Sequence, residues 1–229
     1  MLISGSIALV TGANRGLGRE FATQLLARGA TKVYATARRP SLVDIPGVEV
    51  LPLDVTDPAS VAAAAEAATD VTLLVNNAGV STGADLVGGD LELLRREMDT
   101  HYWGTLRMIR AFAPRLGGGA ILNVLSALSW FAYPGAGGYA AAKAAAWNLT
   151  NGVRLELAAQ KTLVTGLHLG AADTDMMAGY DGPKIAPSTV VAAALNGIEE
   201  NRLEVPADDW SAQVKASLAA DPSRFYTSV

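Results

Sequence analysis

A single-domain α/β fold, a doubly wound and mostly parallel seven-stranded sheet with helices on both faces, is what this chain predicts. Three observations carry that prediction. Short apolar, β-branched runs alternate with amphipathic or Ala-rich segments, the pattern of strands joined by crossover helices. A Gly-rich turn follows the first such run directly and opens a helix. The 229 residues, half of them hydrophobic and 17% charged, suit one large domain (1–229) and do not require a second.

The elements follow in order. Ile7-Ala8-Leu9-Val10 reads as a buried strand, and the turn Thr11-Gly12-Ala13-Asn14-Arg15-Gly16-Leu17-Gly18 comes next. Leu17, Phe21 and Leu25 at four-residue spacing predict a helix that stops at Arg28-Gly29. Residues 32–36 and 48–53 are the second and third strands, 61–68 an Ala-rich helix and 72–75 the fourth strand. Asp90 is placed to cap a helix in which Leu91, Leu94, Met98 and Tyr102 keep helical spacing. Residues 120–125 form the fifth strand, 139–157 a long helix and 163–169 the sixth strand. After an irregular stretch, a helix over about 188–196, a seventh strand at 203–206 and a short helix near 210–218 complete the chain.

Composition narrows the function. A net charge of −4 argues against nucleic acid as a partner, because no basic field exists to release counterions. With no cysteine and two histidines the chain has no cysteine nucleophile and too few ligands for a zinc site. No charged and apolar leader opens the sequence, and no run of about 18 apolar residues offers a membrane span. The expectation is a soluble cytoplasmic protein.

The chemistry gathers on Tyr139 and Lys143, one helical turn apart, with Ser126 thirteen residues upstream. A phenol ordinarily ionises near pH 10. A lysine on the same helix face favours the phenolate, since at an effective dielectric of about 20 two unit charges ~4 Å apart interact by about 4 kcal/mol. Ser126 can hold a carbonyl oxygen while Tyr139 protonates it, provided something supplies a hydride. The Gly12, Gly16 and Gly18 turn is the place for the nucleotide that does so, its pyrophosphate meeting a helix N-terminus. An acidic residue about 20 positions on would bind a free ribose 2′-hydroxyl. Arg38 and Arg39 stand there instead, and Arg15 lies inside the turn. Guanidinium groups suit a 2′-phosphate, so the expected cofactor is NADP(H).

Together these residues resemble the short-chain dehydrogenase/reductase superfamily in its classical form, a Rossmann-type fold, and within it the NADP(H)-dependent carbonyl reductases. The resemblance runs from Ile7 to about Pro206. Thr11 to Gly18 is similar to the family's TGxxxGxG turn, with Asn14, Arg15 and Leu17 among the cofactor-binding positions. Asp54-Val55 resembles the pair beside the adenine, and Asn77-Ala78-Gly79 the end of the NNAG motif near the adenosine ribose. Ser126, Tyr139 and Lys143 match the catalytic serine and YxxxK. Thr174 resembles the residue that meets the nicotinamide carboxamide. The resemblance implies that Lys143 binds the nicotinamide ribose and lowers the tyrosine pKa. It also implies a homodimer or homotetramer built on the Tyr139 helix and the helix carrying His101.

The chain departs from the family pattern twice. His101 stands where an asparagine usually helps hold a relay water; a histidine can hydrogen-bond there and can titrate near neutrality, or it can be structural. Leu169-Gly170 replaces a usual Pro-Gly. Residues 171–187, with Met176, Met177, Tyr180, Gly179 and Gly182, are the place for a substrate loop or lid. Trp130, Phe131 and Tyr133 either line an apolar pocket or fill core. Three functional readings stand: an NADPH-dependent reductase of a small or hydrophobic ketone or aldehyde, an NAD(P)+-dependent alcohol dehydrogenase, and a nicotinamide-sensing binding protein.

Overall fold

A computed structural model describes residues 1–224 and 226; the end of the 1–229 span, at 225 and 227–229, lies outside the described residues. Seven parallel strands, β1 (Ile7–Thr11), β2 (Lys32–Ala37), β3 (Glu49–Pro52), β4 (Leu73–Asn76), β5 (Ala120–Val124), β6 (Leu163–His168) and β7 (Glu204–Pro206), lie in the order β3-β2-β1-β4-β5-β6-β7. All six pairings are parallel, where the sequence predicts a mostly parallel sheet. The order reverses between β1 and β4, which opens a crevice at their carboxyl ends.

Among the described residues seven α-helices cover the sheet: α1 (Gly16–Ala27), α2 (Pro58–Ala67), α3 (Leu91–Met98), α4 (Thr105–Phe112), α5 (Gly137–Glu156), α6 (Pro187–Glu199) and α7 (Asp209–Ala216). Neighbouring residues on the central strands point to opposite faces, and both faces are buried. Val10, Val75 and Leu122 pack with Phe21 and Leu25 of α1 and Val191 and Leu195 of α6. Leu9, Leu74 and Ile121 pack with Val61 of α2, Met108 and Phe112 of α4 and Val153 of α5. Continuous apolar strands are what burial on both faces demands.

The largest difference from expectation lies in α3. Asp90 caps it as predicted, accepting from the Glu92 N–H at 2.8 Å. The apolar stripe does not turn inward as a whole, however: Leu94 meets α5 at Gly138, while Leu91 is 60% exposed and Met98 also lies outward. Glu97, Thr100 and His101 occupy the buried side. Residues Asp99–Gly104 form one turn of π-helix between α3 and α4, the local widening that often marks a functional site. The inner face is polar because it meets the loop after β4, whose backbone needs partners, rather than the apolar sheet. Helix α2 begins three residues before the expected start because Asp57 caps it, with Pro58 at the first position. Among the described residues no helix is long and apolar enough to cross a membrane, and no group of acidic and histidine side chains could hold a metal.

Candidate active site

A cavity of about 740 Å³ opens at the carboxyl ends of the strands. It is lined by Gly12, Asn14, Arg15, Gly16, Leu17, Gly18, Arg38, Asp54, Val55, Asn77, Ala78, Gly79, His101, Ser126, Tyr139, Lys143 and Thr174. The catalytic and cofactor-binding residues expected from sequence therefore line one cavity. Arg39, Met176 and Met177 line it too.

The dinucleotide side is made of backbone. Thr11 Oγ1 accepts from the Asn77 and Ala78 N–H groups, each at 2.9 Å, and locks the end of β4 to the end of β1. Asn77 Nδ2 donates to the Thr11 carbonyl at 2.9 Å. Gly12 and Gly16 hold φ of +69° and +53°, which side chains disfavour. At Gly18 an added Cβ would collide with the Gly12 carbonyl and stand 2.6 Å from Asn77 Nδ2. That close seat of helix on turn is a cradle fitted to a pyrophosphate at a helix N-terminus, and the residues present fit a dinucleotide. Arg15, expected to add a guanidinium for the 2′-phosphate, pairs with Asp175 at 3.2 Å, both exposed, in a bond of little strength. Asp54 spends Oδ1 on the Thr56 N–H and hydroxyl, at 3.0 and 2.7 Å, which shapes the wall beside the cavity.

The other side is made of side chains from different elements. Lys143 is buried and donates to the Val124 carbonyl at 2.7 Å, with Nζ 5.5 Å from the centre of the Tyr139 ring. Burial pushes its ammonium down to about 7. Burial also pushes the Tyr139 phenol up to about 12, opposed by a hydrogen bond with Ser126 and reinforced by the charge of Glu97. The net shift of the phenol is upward because burial dominates it, and the Lys143 ammonium is turned to the Val124 carbonyl rather than to the phenol oxygen. His101, 3% exposed, stands edge-on to Tyr139 with ring centres 5.2 Å apart. Its Nε2 lies 2.7 Å from the Val80 carbonyl and 3.3 Å from the Val80 N–H, so it can donate to the first in one tautomer and accept from the second in the other. Burial, then the nearby Lys143, drives its pKa down to about 3, so the expectation of titration near neutrality gives way to a neutral imidazole.

Ser126 closes β5 and caps a short turn, accepting from the Leu128 N–H at 3.1 Å. Behind it stands His168, fully buried, which the sequence reading passed over. Its Nδ1 lies 3.0 Å from the Ser126 carbonyl, and its ring stacks on Trp130 with centres 3.9 Å apart. Trp130 also faces Trp147 and the Lys215 ammonium, while Phe131 meets Trp210 edge-on at 5.4 Å. Neither they nor the exposed Tyr133 line the cavity. The pocket-lining reading of these three aromatics is corrected; Trp130 and Phe131 are fillers behind the serine. Glu97 was also missed. Its four-residue spacing to His101 was the available signal, hidden because the apolar stripe drew the helix the other way round.

The irregular 171–187 stretch is pinned where Ala172 bridges Ile185, the Asp173 N–H donating to the Ile185 carbonyl at 2.9 Å and the Ile185 N–H to the Ala171 carbonyl at 2.8 Å. A short helical turn, Asp175–Met177, leans its methionines over the cavity.

Residues 6–183 match the family model described as short chain dehydrogenase. A short chain dehydrogenase from Burkholderia cenocepacia, solved in complex with NADP, is 41% identical, with a TM-score of 0.95 over 99% of this chain and 98% of that one. The 3-oxoacyl-(acyl-carrier-protein) reductase of Vibrio cholerae is 34% identical over 77% of each chain. An NADPH-dependent 1-acyldihydroxyacetone phosphate reductase of Schizosaccharomyces pombe is 33% identical over 72% of this chain and 60% of that protein. The chain spans about two thirds or less of the length of some of these curated relatives. Fold order, glycine cradle and family match agree, and the chain belongs to the short-chain dehydrogenase family, whose members bind a nicotinamide dinucleotide.

Proposed function

We propose that the protein reduces a small or hydrophobic ketone or aldehyde to an alcohol with NADPH, Tyr139 giving the proton. The observation that carries this reading is that Ser126, Tyr139 and Lys143 share one cavity with the glycine cradle and Arg38. The bound nicotinamide supplies the hydride. Ser126 hydrogen-bonds the carbonyl oxygen, and the Tyr139 phenol protonates that oxygen as charge develops on it.

Lys143 holds the nicotinamide ribose. Asn14, Gly16 and Leu17 take the pyrophosphate on backbone N–H groups, and Thr174, whose methyl lies 3.3 Å from a Cβ built on Gly16, meets the carboxamide. Asp54 and Val55 bound the adenine, and Asn77, Ala78 and Gly79 the adenosine ribose. Arg38 binds the 2′-phosphate, with Arg39 beside it and Arg15 joining by exchange from Asp175. His101 acts as a neutral hydrogen-bonding group that holds a relay water. Residues 171–187 are the lid, with motion confined between the Ala172 and Ile185 anchors. The exposed stripe of Leu91, Met98 and Trp103, with Leu155 on α5, supports a homodimer or homotetramer built on these helices.

Cofactor oxidation with a panel of ketones and aldehydes, run with NADPH and with NADH, tests the reading. NADPH-preferring turnover is expected. Preference for NADH overturns the role of Arg38, and silence across the panel overturns the reductase.

A further inference from the structure

The buried side of α3 carries a carboxylate that the reaction above leaves unused. Glu97 is 1% exposed. Its Oε1 accepts from the Thr82 backbone N–H at 2.7 Å and from the Thr82 hydroxyl at 2.9 Å. Its Oε2 has no hydrogen-bond partner among the described residues. A buried carboxylate with half its acceptor capacity unmet is costly, and such groups persist where they serve a site. Oε2 lies against Gly138, the residue before Tyr139, where an added Cβ would collide with it and with Leu94. Gly138 lets α3 and the start of α5 approach closely enough for the carboxylate to sit against the first turn of the helix that carries Tyr139.

We infer that Glu97 is a positioning residue of the reaction centre, one that couples the loop at Thr82 to the proton-transferring phenol of Tyr139. This rests on Tyr139 being the proton donor proposed above. Few charged or titratable groups face the phenol: Lys143 on its own helix, His101 on the π-turn and Glu97 on α3, with Ser126 adding a neutral hydroxyl. His101 is neutral above about pH 3, and Lys143 loses its charge near pH 7. Glu97 is the charge that opposes ionisation of the phenol. Its other oxygen holds both donors of Thr82, in the loop that also carries the Val80 carbonyl against His101.

The test is a pH titration of protein carrying 13Cζ-tyrosine, with NADP+ bound, the Tyr139 resonance being identified by its loss in Tyr139→Phe. Glu97→Gln keeps the shape and an acceptor for Thr82 but removes the charge; Glu97→Asp keeps the charge and shortens the reach. Glu97→Gln is expected to move the phenol titration about one pH unit lower, with Glu97→Asp staying near wild type. A purely structural role gives the reverse, a silent Glu97→Gln and a disruptive Glu97→Asp. That result, or coincident curves in all three proteins, flat ones included, overturns the inference. Should Glu97→Gln not fold, Thr82→Val carries the test: losing a donor to the carboxylate moves the titration upward, and an unmoved curve overturns the coupling. The titration needs no substrate, so a protein inactive on every carbonyl sinks the proposed function while this measurement still decides Glu97.

Discussion

The glycine turn after β1 holds its half of the cavity with backbone, whereas the wall from Glu97 to Lys143 holds its half with buried side chains brought from α3, the π-turn and α5. Gly18 works by having no side chain, and Thr11 and Asn77 tie two strand ends by hydrogen bonds to main chain. On the opposite wall, burial shifts three titratable groups at once, Tyr139 upward and Lys143 and His101 downward. A backbone site is set by spacing along the chain. A side-chain site is set by which faces of distant helices meet, and its electrostatics belong to no residue alone.

Substitutions separate the two walls, the largest effect first. Gly18→Ala forces the Gly12 carbonyl and Asn77 apart, so NADPH affinity should fall at least about 100-fold, with a stability loss of roughly 1–3 kcal/mol. Fluorescence titration and thermal melting read both, and unchanged NADPH affinity would remove the cradle from the account. Lys143→Met should abolish turnover yet stabilise the fold. Because burial holds the ammonium near 7, below its ordinary 10.5, the unfolded chain binds the extra proton between those values. Stability therefore rises with pH across that window, and the penalty is full below it. Replacing Lys143 should raise stability by about 1–2 kcal/mol at pH 6, after allowing for the Val124 hydrogen bond, with little gain near pH 10. Equal melting shifts at both pH values would show that the lysine is not strained by burial.

Smaller effects sharpen the comparison. Arg38→Ala should lower the NADPH over NADH preference about 10- to 100-fold, measured as the ratio of kcat/KM values; an unchanged ratio moves the 2′-phosphate elsewhere. His101→Asn should keep turnover within a few-fold with no new ionisation between pH 6 and 9, because the imidazole it replaces is already neutral there. His101→Ala with wild-type turnover over the same range would end the water-holding role.

The same contrast explains what was legible in the sequence. Strands β1 to β7, the glycine turn, Asp90 as a cap and the Tyr139–Lys143 spacing could be read because each rests on local pattern. The face of α3 could not. Leu91, Leu94, Met98 and Tyr102 make a good apolar stripe, but Glu97 and His101 turn inward beside Leu94, to meet Thr82 and Val80, a choice of face that only the tertiary structure assigns. Trp130 looked like a pocket residue because it follows Ser126; the partner that takes it, His168, lies on another strand. The sign of the tyrosine shift was unreadable for the same reason, since burial outweighs a neighbour one turn away.

NADPH oxidation by wild type and by Tyr139→Phe, on whichever carbonyl of the panel the wild type turns over fastest, tests the central claim most directly. Proton donation by Tyr139 predicts a loss of about 10²-fold or more in kcat for the phenylalanine variant, with NADPH affinity unchanged. Near-equal turnover by the two proteins would contradict it.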